Sequence, residues 1–155
     1  MDSVAVYQLK DRLLVHPWNK TTMGLGMATE PYLALPLEAG SKAVGEAVLA
    51  AMAQSGRTVG HPTAWKGLSA PLLKAAGVKS ERAFQAGSRY VSVDRRDGGY
   101  VIGPTRNGGT SGDEKGHHPL PALTFTIAAG SAADQLGDAV RDGLKRCTQE
   151  VGRAG

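Results

Sequence analysis

The sequence predicts an α/β (α+β) domain: a mainly antiparallel twisted sheet of about five to six strands with helices packed on it. Three observations lead there. Short β-branched runs flank tight turn residues, as the strands of hairpins do. Two stretches, 41–55 and 131–147, space their apolar residues with the 3.6-residue period of a half-buried helix. The chain has 155 residues, the size of one domain of about 100–200 residues. Residues 1–155 therefore read as a single unit, with 148–155 as a frayed tail.

Val4-Ala5-Val6-Tyr7-Gln8-Leu9 and Arg12-Leu13-Leu14-Val15 form the first expected hairpin, turning at Lys10-Asp11. Pro17 is expected to end the second strand, because it has no N–H for the ladder. Residues 18–30 read as a long loop. Its Gly24-Leu25-Gly26 lacks the third glycine of a dinucleotide fingerprint and opens no helix. Tyr32-Leu33-Ala34-Leu35 is a short strand closed by Pro36. Ser41 is the expected N-cap of the next helix, with Val44, Val48, Ala51 and Met52 on one face and Gly56 as its stop.

A second loop covers 57–68. Ser69 and Ser80 then cap two short helices, ended by Gly77 and Gly87. Arg89-Tyr90-Val91-Ser92-Val93 and Tyr100-Val101-Ile102 flank Asp97-Gly98-Gly99 and make a second hairpin. A glycine-rich polar loop and a strand over 123–127 lead to the last helix. Ser131 with Asp134 approximates a capping box there, and Ala133, Leu136, Val140, Leu144 and Cys147 form the apolar stripe.

The chain carries one weak internal echo. A strand, a Gly-Ser pair and a helix with Gly45-Glu46-Ala47-Val48 are matched by a strand, a Gly-Ser pair and a helix with Gly137-Asp138-Ala139-Val140. Two readings stand side by side. Either two β–α units are built alike, each glycine letting its helix approach a sheet closely, or strand–cap–helix units simply look alike.

Composition narrows the function. Aromatic residues make up 5% of the chain, so an aliphatic and alanine core is expected. The single cysteine, Cys147, excludes an internal disulfide and a multi-cysteine zinc site, and its place on the apolar stripe reads as a buried thiol. The start of the chain lacks a signal-peptide pattern, and the longest apolar run falls far short of the about 20 residues that span a bilayer. A soluble, cytoplasmic protein is expected. The net charge is +4, with basic and acidic residues interspersed in both halves, so no basic block marks a nucleic-acid footprint.

No assembled catalytic motif is present. His16, His61, His117 and His118 lack metal-ligand spacing, and the adjacent pair points two ways if extended. No P-loop, nucleophile elbow or His-Glu-x-x-His pattern occurs, so no cofactor or metal is expected. Gly108-Gly109-Thr110-Ser111-Gly112 can build an anion nest or a contact loop; Lys115 arrives within the loop rather than at a helix start, which favours the contact loop. Arg106 and Asn107 carry planar donor forks that suit a carboxylate on a partner or a lock of the loop onto the sheet. Trp18 and Trp65, both in loops, read as binding anchors or as plugs at the edge of a small core.

Several of these stretches together resemble a known family. They are Pro62-Thr63-Ala64-Trp65, the run from Leu72 to Ser80, Val91-Ser92-Val93, and Pro104-Thr105-Arg106-Asn107-Gly108-Gly109. Leu136-Gly137-Asp138-Ala139-Val140 and Arg146-Cys147 complete the set. In this order, over nearly the whole chain, they are similar to the immunity proteins of bacterial contact-dependent growth inhibition (CDI). The resemblance implies a cytosolic, non-catalytic protein that neutralises the toxic C-terminal domain of a cognate surface effector, commonly a nuclease. It implies tight binding over the toxin's active site or substrate path. The matched motifs lie on helices and the strands feeding them, so specificity is expected in variable loops. A chain of +4 fits an inhibitor of a basic nuclease poorly.

The expected partner is therefore a toxin domain, with no direct nucleic acid and no membrane, and with oligomeric state left open. The expected partner-binding residues are Arg106, Asn107, Asp113, Glu114, His117 and His118 in the polar loop, joined by Trp18 and Trp65. Carboxylates there would meet toxin cations, and the arginine a toxin carboxylate. The alternative is a small basic RNA-cleaving or nucleic-acid-binding protein using loop histidines, which requires two histidines to converge in one cleft.

Overall fold

Two hairpins laid back to back organise the molecule. The computed structural model describes residues 2–149. In it β1 (Asp2–Gln8) pairs antiparallel with β2 (Arg12–Thr21), and β6 (Arg89–Arg96) with β7 (Gly99–Asn107). The hairpins join through β1 and β6, antiparallel from Asp2↔Arg95 to Gln8↔Arg89. Asp97-Gly98 make the second turn, where Gly98 takes a positive φ of 89° that only glycine adopts without strain.

Each hairpin recruits the same set of partners. On β2 lie β3 (Gly26–Ala28), β4 (Leu33–Pro36) and the parallel β5 (Thr58–Val59). On β7 lie β8 (His117–Pro119), β9 (Phe125–Ile127) and the parallel β10 (Thr148–Gln149). Between β4 and β5 runs α1 (Ser41–Met52); between β9 and β10 runs α4 (Ala133–Arg146). The correspondence reaches single residues. Pro17 faces Val4 and Pro104 faces Val91, and each proline carbonyl accepts a hydrogen bond from the following strand segment, from Thr29 and Leu120. The sequence echo is thus a real likeness of two units. Ser41 corresponds to Ala133, and Gly45 to Gly137.

The two glycines do not serve a helix–sheet contact. A Cβ on Gly45 would stand 1.7 Å from the Ala133 carbonyl oxygen, and one on Gly137 would stand 1.7 Å from that of Ser41. The first turns of α1 and α4 cross over each other's glycine, backbone to backbone. Ser41 adds a hydrogen bond to the Asp138 carboxylate and Arg141 one to the Ala39 carbonyl.

Strand alternation sends side chains to two separate cores. Val4, Val6, Leu13, Val15, Val91, Val93 and Ile102 pack under α1 and α4, with Val44, Val48, Leu136, Val140 and Leu144. This core is aliphatic, as the composition implies. Cys147 is buried at its edge, and burial raises its thiol pKa. On the opposite face, α2 (Ala70–Ala76) and α3 (Glu81–Gln85) cover Ala5, Tyr7 and Leu14. Here the scarce aromatics gather: Tyr7, Trp18, Tyr32, Phe84 and Tyr90.

Several element boundaries differ from expectation. β2 continues through Pro17 to Thr21, because the Pro17 carbonyl points to Thr29 and its nitrogen shares that side, where the partner changes from β4 to β3. No ladder donor is lost, and half of the expected 18–30 loop is strand. Gly40 rather than Ser41 caps α1, which ends at Met52. At α4 the cap is Ala132, whose N–H is taken by the Gln135 side chain, so Ser131 and Asp134 form no box. Ser69 occupies a cap position without a side-chain bond, whereas Ser80 accepts the Ala83 N–H as expected. Pro121–Leu123 is a 3-10 turn ahead of β9. Of the expected tail, Thr148 and Gln149 pair with Arg106 and Asn107, and the remainder lies outside the described residues.

Candidate functional site

The polar loop after β7 is tied down from within. Asn107 is 3% exposed, and its four hydrogen-bonding positions are all occupied. Its amide donates to the Gln85 and Ser88 carbonyls, and its oxygen accepts from the Gln85 side chain and the Gly109 N–H. Of the two roles open to it, Asn107 takes the lock. The glycine stretch closes on itself as well. The Gly108, Lys115 and Gly116 N–H groups donate to the Gly116, Gly112 and Gly109 carbonyls, so two of the candidate nest's amides, Gly108 and Gly109, are engaged within the loop. A Cβ on Gly108 would stand 1.6 Å from the Glu114 carbonyl oxygen, which makes glycine obligatory at that closure.

β8 turns the histidine pair two ways, as its extended backbone requires. His117 packs against Tyr7 and Tyr90 and shares a 3.1 Å hydrogen bond with the Ser88 hydroxyl; burial lowers its pKa. His118 faces outward to the Glu114 carbonyl, 2.8 Å away. Arg106 lies 3.7 Å and His118 3.8 Å from the Glu114 carboxylate. Asp113 is exposed at the loop's tip. Outward-facing Arg106, Asp113, Glu114 and His118 thus share one surface, while Asn107 and His117 hold it from beneath.

The tryptophans divide between their two expected roles. Trp18 is half-buried, donates to the Tyr90 hydroxyl at 3.1 Å and meets His16 edge-on, so it seals the aromatic core. Burial pushes the Tyr90 pKa up to about 12. His16 is fully buried. Its Nδ1 donates to the Pro17 carbonyl at 2.9 Å, which leaves the Nε2 lone pair without a partner among the rings of Tyr7, Trp18 and Tyr32. Burial drives its pKa down to about 4. Among the described residues no hydrogen bond joins two histidines, and no cluster of three or more His, Cys, Asp or Glu side chains is placed to hold a metal ion.

Trp65, in contrast, is 54% exposed. It stands in a second cluster that sequence reasoning did not assemble. Met23, Leu25 and Leu68 are also exposed, and buried Thr21 ties their segments together. The Thr21 hydroxyl accepts the Met23 and Leu25 N–H groups, both at 3.2 Å, and donates to His61 Nδ1 at 2.9 Å. The His61 ring in turn meets the Trp65 indole edge-on at 5.6 Å. Two large apolar residues within one short turn were the available signal, hidden because the register that carries Thr21 into β2 was not.

The molecule is thus a curled, mainly antiparallel sheet with helices packed on it, a buried His16 and a tethered polar loop. The family model for the CDI immunity protein matches residues 61–147, and the chain belongs to that family. Among solved structures, it resembles a chain of the CdiA-CT/CdiI toxin and immunity complex from Yersinia pseudotuberculosis, at 14% identity and TM-score 0.73 over 95% of this chain and 97% of that one. A protein of unknown function from Neisseria meningitidis is similar at 19% identity and TM-score 0.72, over 95% and 96% of the two chains. At these identities the likeness is one of fold. No curated protein matches the sequence. Among the described residues no helix is long and apolar enough to cross a membrane.

Proposed function

We propose that the chain binds and neutralises the toxic C-terminal domain of a cognate CDI effector, acting in the cytoplasm by occupancy and without catalysing a reaction. The family match over 61–147 carries this reading. The deployment of the side chains supports it: His16 and His117 pack among aromatic rings, and Asn107 ties the glycine loop to the sheet. The toxin is a nuclease in this reading. The outward residues Arg106, Asp113, Glu114 and His118, with Trp65, are the available contact groups from the expected set. Producing the toxin domain encoded beside this chain in bacteria should arrest growth, and co-producing this chain should restore it. Continued arrest at matched expression would reject the function.

A further inference from the structure

Of the five exposed large apolar residues among the described residues, four are gathered at one end of the sheet, around β3, and the fifth, Leu123, lies ahead of β9. Met23 is 76% exposed, Trp65 54%, Leu25 44% and Leu68 36%, and they stand on the segments that Thr21 and His61 hold together. Beside them an open groove of about 610 Å³ runs between the 65–69 segment and β3, with Tyr32 and Leu72 among its walls. Large apolar side chains clustered on a surface mark a contact site more often than a solvated one. Tryptophan is the residue most often found to anchor such contacts.

The charges set this end apart from the polar loop. Lys20, Arg57 and Lys66 are exposed around the cluster, and none has an ion-pair partner among the described residues. Asp94, which lines the adjoining hollow with Lys20 and Arg57, is already engaged by Ser3 and Arg96; Glu81 also lines the groove. In the loop after β7, Glu114 sits between Arg106 and His118, so charge there is matched internally.

We propose that the β3 end is the principal docking surface for the toxin: Trp65 is the anchor, and the complementary toxin face has an apolar centre rimmed by carboxylates. This rests on the immunity reading and specifies its partner. It also accounts for the chain's positive charge, because the inhibitor meets an acidic rather than a basic face. Opposite charges around an apolar centre set encounter rate and register, while the desolvated aromatic sets residence time.

The test is a titration of the purified toxin domain encoded beside this chain against the intact chain and its variants. Trp65→Ala should weaken binding about 30-fold, as loss of an anchor does. Lys20→Glu combined with Lys66→Glu should slow association about tenfold at low salt, and the difference should shrink as salt rises. Glu46→Lys with Asp97→Lys, exposed residues outside both candidate surfaces, should change affinity less than about threefold. Unchanged unfolding midpoints verify that each variant is folded. If wild type binds while the Trp65 and lysine variants match it, the docking surface lies elsewhere and the immunity function stands. If wild type does not bind, both are overturned.

Discussion

His16 illustrates how much of this molecule's polar chemistry is structural. Its ring is neutral because burial disfavours the charged form; the Pro17 carbonyl sets the remaining proton on Nδ1, and the aromatic wall offers Nε2 nothing to donate to. A folded-state pKa of about 4, against 6.5 for the free group, means that the unfolded chain takes up a proton first as pH falls. Stability is therefore complete above about pH 6.5 and declines toward pH 4, by about 3 kcal/mol at most from this group. His117, also lowered by burial, adds in the same direction. Replacing His16→Phe should flatten this acid limb in urea titrations run from pH 7 to pH 4; an unchanged slope would mean the ring is not held neutral. Asn107 makes the same point without titration. Asn107→Ala removes the amide that donates to the Gln85 and Ser88 carbonyls and accepts the Gly109 N–H, and should cost about 1–3 kcal/mol. Amide exchange at residues 108–116 should speed up, and protection equal to wild type would contradict the lock.

At the level of elements, the crossing of α1 and α4 is the tightest joint. Gly45→Ala and Gly137→Ala each drive a methyl group into a carbonyl of the opposite helix, and each should destabilise by about 1–3 kcal/mol or more. Gly40→Ala, where a Cβ meets nothing within 4 Å, should stay within about 0.5 kcal/mol. Chemical denaturation of the three variants checks this, and equal midpoints would rule out the close crossing. The helices were legible in the sequence because their 3.6-residue apolar period is local, and the second hairpin because its turn glycine is. β5 and β10 were not, since two-residue strands owe their existence to β2 and β7 rather than to their own residues. Pro17 misled for a related reason. Whether a proline breaks a strand depends on which side its nitrogen faces, and that is a property of the sheet.

For the whole molecule, the duplicated plan explains what the chain exposes. α1 and α4 close one side of the sheet and α2 and α3 part of the other, which leaves the loop after β7 and the β3 end uncovered on either side of α3. The sequence pointed to the first, since polar residues and glycines cluster there along the chain. It missed most of the second, since Thr21, Met23, His61 and Trp65 meet only after folding. The chain belongs to the CDI immunity protein family, and in the proposed function its partner is a toxin. The most direct measurement is the toxin domain's activity on its own substrate as this chain is added. Loss of that activity as the chain approaches equimolar amounts, with the two co-eluting on size exclusion, is the predicted result. Full activity in the presence of excess folded chain would contradict it.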